Sequence, residues 1–178
     1  PVGRRHPELA EAVGTGVLLM LSVGSMMVVG GTASSGDLVS LQDGSAWGIL
    51  LSPLGFLLLL AIMTWESDRL ARLRRPGTAA ERWPGTHLAM GIYTVCARYM
   101  ALGLLGAIVF LGGWSGPALD GAWWTLVKAL VLVAFTSMVA GALPLGRPSS
   151  RARALRTRWL PLAAANLVLV AAVMEVMA

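Results

Sequence analysis

The chain has 178 residues, 56% of them apolar and only 13% charged, and its mean hydropathy is +0.71. Soluble domains carry roughly a quarter charged residues, so this composition excludes an ordinary water-soluble globule. Fourteen Lys and Arg stand against nine Asp and Glu, a net charge of +5, and the placement of those cations decides what the charge is for.

Apolar runs of about 20 residues match the thickness of the hydrocarbon core crossed as a helix. Runs this long exceed a barrel strand, and only helices or closed barrels satisfy their backbone groups in lipid. The reading is all-α: a polytopic membrane protein with five transmembrane helices, near residues 9–31, 46–65, 87–112, 122–143 and 159–177. Between them, "GTASSGDLVSLQDGS", "GGWSGPALDG" and "PLGRPSSRARALRTR" read as breaks, being rich in Gly, Ser, Pro or charge. No internal repeat interrupts the pattern, so residues 1–178 form a single membrane domain.

Charge orients these spans. Arg4 and Arg5 precede the first, Arg69, Arg72, Arg74, Arg75 and Arg82 follow the second, and Arg147, Arg151, Arg153, Arg156 and Arg158 follow the fourth. The opposite loops carry Asp37, Asp43 and Asp120, and the tail carries Glu175. Positively charged loops stay on the cytoplasmic or matrix side, which places the N-terminus there and the C-terminus outside. The basic balance is thus a topology signal toward a lipid bilayer, and no nucleic-acid partner is expected. Cys96 is the single cysteine, so there is neither a disulfide framework nor a paired-cysteine metal site.

Catalytic motifs are absent. His6 and His87 are too few and too far apart for a zinc site, and no phosphate-cradling glycine loop occurs. Glycines 14, 16, 24, 30 and 31 read as helix-packing contacts. The chain is expected to have no complete active site of its own, no metal and no bound cofactor.

What remains is a set of ionisable residues at or inside span ends: Glu8, Glu11, Glu66, Asp68, Glu81, Arg98, Lys128 and Glu175. Such groups are costly in a bilayer, face the bundle interior and mark proton or ion paths. Glu8, Asp68 and Glu175 read more simply as interfacial end groups. Arg98 falls deep in the third span and Lys128 some six residues into the fourth, so each needs a carboxylate, a carbonyl or a wet cavity beside it. Glu66 ends "LGFLLLLAIMTWE". It either closes a helix by pairing with Arg69 or Arg72, or carries protons. A carboxylate has the wrong sign for a helix C-terminus, which favours the second.

"LGFLLLLAIMTWESDR" resembles the span and loop of the NADH-ubiquinone oxidoreductase chain 1, or NuoH, family, the quinone-site membrane subunit of respiratory complex I. "PGTAAERWPGTH", "FLGGW" and "LVKALVLVAF…LP…RWLPLAAANL" are similar to later landmarks of that family, in the same order. Of the family's acidic loop only Glu81 remains. The resemblance implies a membrane subunit of proton-translocating NADH:ubiquinone oxidoreductase, with ubiquinone as substrate of the complex. It implies a proton path through Glu66, Glu11, Arg98 and Lys128, and a quinone cavity and loop touching Asp68, Arg69, Glu81 and His87. Partners are then other complex I subunits, with a separate chain supplying the missing N-terminal helices. The expected site is the mitochondrial inner membrane, with the bacterial plasma membrane as the alternative. Two other readings remain open: a membrane subunit of a related hydrogenase-type complex, and a non-catalytic structural subunit.

Overall fold

The computed structural model describes residues 7–42, 48–74, 85–115, 121–143, 150 and 153–177, with side chains from Ala12 to Val176. Among these residues all the regular secondary structure is helical. In chain order come α1 (Pro7–Gly30), α2 (Ser35–Gln42), α3 (Gly48–Leu51), α4 (Pro53–Arg74), α5 (Gly85–Phe110), α6 (Ala122–Ala142), a π-helical turn (Leu155–Trp159) and α7 (Leu160–Met177).

Helix α4 is the hub, packing on α1, α5 and α6 and more lightly on α7. Its neighbours α1 and α5 run antiparallel to it. On one side Ser22 and Ser25 meet Gly55 and Ser52, and on the other Gly106 and Gly103 face Leu59 and Met63. Helices α1 and α7 lie side by side in the same direction, with Gly14 against Leu155 and Gly24 against Leu167. Leu18, Met26, Leu58, Leu59, Ile62, Met63, Leu102 and Phe110 make the core between them.

Small residues bring α1 and α4 together. A Cβ on Gly55 would lie 2.6 Å from the Ser52 hydroxyl and 2.7 Å from that of Ser25. The Ser22 hydroxyl donates to the Gly55 carbonyl at 2.7 Å, and Ser25 and Ser52 share a 2.9 Å bond. Close backbone approach with hydroxyls bridging helices is the packing mode of apolar bundles, where lipid gives helices no hydrophobic reason to associate. Of the glycines expected to pack, Gly14, Gly24 and Gly30 meet side chains, whereas Gly16 and Gly31 face nothing within 4 Å.

Four helical stretches are long and apolar enough to cross a membrane: Ala12–Gly30, Gly85–Phe110, Ala122–Ala142 and Leu155–Val176. The expected second span corresponds to α4, and it differs from the expectation in two ways. A short turn, α3, precedes it with a break at Ser52–Pro53, and the helix continues eight residues past Glu66 to Arg74. Charge does not end this helix because the charges are paired along it: Arg72 bonds to Asp68 one turn back. Glu66 therefore does not stand at a helix C-terminus. Two turns of helix separate it from that end, and the macrodipole has no bearing on its role.

Two further differences have local causes. The polar stretch after α1 contains α2, which buries Leu38 and Val39 against the bundle end. The last helix starts before residue 159, through a π turn in which the Leu160 N–H bonds to the Leu155 carbonyl. Pro161 lacks an N–H and crowds the carbonyl four residues back, a strain that a wider turn relieves. The turn sets Trp159 edge-on against Trp65, 5.6 Å between ring centres.

The C-terminal end of α5 is closed by two glycines. Gly112 and Gly113 have φ of +71° and +48°, the left-handed region that glycine enters without a Cβ penalty. This turn returns the Gly113 N–H to the Ala107 carbonyl at 2.9 Å.

Candidate functional site

The site starts from an acid in the core. Glu66 is the fourteenth of 22 residues in α4, and its side chain is only 4% exposed. Its Oε1 lies 3.1 Å from Nε of Arg98, the fourteenth of 26 residues in α5. Two antiparallel helices thus meet with opposite charges near their middles. The guanidinium extends further: its Nη2 donates to the Thr15 hydroxyl of α1 at 3.1 Å, and Thr15 donates to the Ala12 carbonyl. One cation therefore ties α1, α4 and α5.

The other carboxylate oxygen is different. Glu66 Oε2 is buried and accepts no hydrogen bond, and Arg69 Nη1 stands 4.0 Å from it on a side chain 43% exposed. That distance is a loose ionic contact, too long for a hydrogen bond. Buried carboxylate oxygens are normally satisfied, so a free one marks a position where chemistry or a moving proton is a physical possibility.

A second polar cluster lies beside the pair. Ser67, next to Glu66, reaches the Ser137 hydroxyl of α6 at 3.5 Å. Tyr99, next to Arg98, bonds to Ser137 at 3.0 Å, to Thr136 at 2.6 Å and to the Val133 carbonyl at 2.8 Å. Thr15, Ser67, Tyr99, Thr136 and Ser137 carry no signal of their own in the sequence, because single hydroxyls are common on apolar helices and satisfy themselves on their own backbone. The adjacency of Ser67 to Glu66 and of Tyr99 to Arg98 is the one available hint.

The remaining expected residues scatter. Lys128 is brought nowhere near Glu66; its ammonium donates to the carbonyls of Leu111, Gly113 and Ser115 at 2.6, 3.1 and 2.6 Å. A cation on the free carbonyls at a helix C-terminus complements the dipole, so Lys128 caps α5. Asp68 pairs with Arg72. His87 is exposed in the first turn of α5. Glu11 lies in α1, but its side chain, the side chain of Glu8, and Glu81 with the rest of residues 75–84 are outside the described residues. Among the described residues no three His, Cys, Asp or Glu side chains gather as a metal site.

The NADH-quinone oxidoreductase H subunit of Dehalococcoides mccartyi strain CBDB1 is 29% identical over 92% of this chain and 47% of its own length. The second such H subunit of Cereibacter sphaeroides strain ATCC 17029 is 32% identical over 86% of this chain and 50% of its own. Its counterpart in Geobacter sulfurreducens is 29% identical over 76% and 43%. The chain spans about half the length of these relatives. The family model described as NADH dehydrogenase matches residues 77–171. That match covers more than half of the sequence, and the chain belongs to the NADH dehydrogenase family.

Proposed function

We propose that this chain is a membrane subunit of a proton-translocating NADH:quinone oxidoreductase, and that Glu66, partnered by Arg98, carries protons within it. One observation supports this above the others: a carboxylate deep in an apolar bundle with one oxygen on a guanidinium and the other unbonded. A purely structural ion pair gains from satisfying both oxygens, because desolvating the charges costs several kcal/mol per ion. A group that must take up and release a proton needs a free position on its oxygen. The relatives, H subunits of NADH-quinone oxidoreductases, support the quinone-linked reading over a hydrogenase-type one.

In this reading the chain crosses the membrane five times. Helix α4 is the crossing added to the four long apolar stretches, with its paired charges turned into the bundle and Arg69, Arg72 and Arg74 toward the cytoplasmic side. The N-terminus lies inside and the C-terminus outside. Asp68, Arg69, Glu81 and His87 belong to the quinone-facing end, ubiquinone being substrate of the whole complex, and Glu11 is a second acid on the path. The bacterial relatives favour a bacterial plasma membrane; the mitochondrial inner membrane expected from sequence gains no support from them. Other subunits of the oxidoreductase are its partners. The remaining length of the family's subunit, on this polypeptide or another, completes the bundle.

The test is Glu66→Gln in the assembled complex. Glutamine keeps size and hydrogen-bonding shape but has no titratable proton. NADH-driven quinone reduction and the accompanying proton uptake should fall by about a hundred- to a thousandfold, the lower half of the range for a lost acid–base group. Wild-type rates for both return Glu66 to a structural role.

A further inference from the structure

The Glu66–Arg98 pair joins α4 to α5, yet the residue that follows each member lies toward a third helix, Ser67 in a long 3.5 Å contact and Tyr99 in short hydrogen bonds. Ser67 and Tyr99 both reach the Ser137 hydroxyl of α6. Tyr99 is the stronger tie: its hydroxyl meets Ser137 and Thr136 and donates to the Val133 carbonyl, all within 3.0 Å, and the residue is 4% exposed. One turn along, α5 comes close to α6 again at Gly103, where a Cβ would stand 3.0 Å from Val133 Cγ2 and 3.2 Å from the Ala129 carbonyl. The rotation of α5 about its axis is therefore set against α6 at residue 99.

Successive residues on a helix point about 100° apart, so fixing residue 99 fixes the direction of residue 98. We propose that Tyr99 is a positioning residue: its grip on α6 holds α5 at the rotation that delivers the Arg98 guanidinium to Glu66. The inference rests on the Glu66 reading of the proposed function. With the phenol proton on the Val133 carbonyl, Thr136 is the donor in the 2.6 Å contact, and its one proton is shared between the phenol oxygen and the Leu132 carbonyl at 2.8 Å. Helix α6 thus sets the geometry of an ion pair to which it contributes no charge. Ser137, the shared oxygen, belongs to an exposed residue of α6.

The experiment is a double-mutant cycle of Tyr99→Phe and Glu66→Gln in the assembled complex, read by NADH-driven quinone reduction. Phenylalanine keeps the buried ring and removes only the hydroxyl. Alone, Tyr99→Phe is expected to slow turnover about three- to tenfold, the scale of one hydrogen bond's net contribution. In the Glu66→Gln background it should cost nothing more, because the interaction it serves is already gone; coupled residues are non-additive and independent ones are not. Multiplying losses, or a wild-type rate for Tyr99→Phe beside a slow Glu66→Gln, overturn the positioning role and leave the Glu66 reading standing. A wild-type rate for Glu66→Gln instead sinks that reading, and the positioning role with it. If Tyr99→Phe does not assemble, Ser137→Ala goes through the same cycle: a loss that disappears in the Glu66→Gln background supports the role, and a multiplying loss overturns it.

Discussion

Lys128 and Glu66 both carry charge inside this bundle, and they are treated differently. Lys128 gives its ammonium to at least three carbonyls at the far end of α5, and Gln42 seals the same end. The Gln42 amide donates to the Leu38 and Val109 carbonyls and its oxygen accepts from the Gly48 N–H. Every polar atom named there has a partner. Glu66 is buried where Lys128 is only half-buried, and one of its two oxygens accepts no hydrogen bond. Two charges on apolar helices read alike in sequence. The count of satisfied atoms is what distinguishes them, and the proposed function rests on it: full satisfaction fixes a side chain, whereas an oxygen without a partner leaves room for one.

Substitutions at either end test that difference. Glu66→Gln has the largest expected effect on turnover, a loss of about a hundred- to a thousandfold with assembly intact. Arg98→Met comes next and reads out in stability. It strands the buried carboxylate, at a cost of about 2–3 kcal/mol, at or just below the low end for a broken buried pair because the guanidinium is partly exposed. Adding Glu66→Leu to Arg98→Met should recover most of that loss in a thermal or denaturant melt, since an apolar pair removes the stranded charge. If the double variant is no more stable than Arg98→Met, the pair is not the source of the penalty.

Lys128→Met is expected to act in the opposite sense. It leaves three carbonyls at the end of α5 without their cation and lowers stability by about 1–2 kcal/mol, while complexes that assemble turn over normally. A turnover loss comparable to that of Glu66→Gln would put Lys128 back on the proton path expected from sequence, and the difference between the two ends would dissolve.

The fold is most legible in the sequence where apolar length and arginine placement dominate. The boundaries of α1, α5 and α6 agree with the expected spans to within about two residues, the ordinary scatter of helix ends. It is least legible where charges are neutralised by partners from elsewhere. Hydropathy treats Glu66, Asp68 and Arg69 as a stop, but a helix whose charges are paired within the bundle and along its own face runs on to Arg74. The two-turn α2 hides in a Ser- and Gly-rich stretch because its helix is held by burial of Leu38 and Val39, a tertiary term. In the site, Glu66 and Arg98 stand out as intramembrane charges, although nothing in their spacing says that they meet. Lys128 stands out for the same reason, although nothing in its spacing says that its ammonium meets carbonyls of the turn shaped by Gly112 and Gly113.

Whether the Glu66 carboxylate changes its protonation during turnover decides between a proton carrier and a structural ion pair. Infrared difference spectroscopy on the assembled complex, comparing oxidised with quinol-reduced states, reads this through the carboxyl stretching region. A proton carrier at Glu66 gives a carboxyl difference band that vanishes in Glu66→Gln and persists in Lys128→Met. Indistinguishable spectra for wild type and Glu66→Gln would contradict that role.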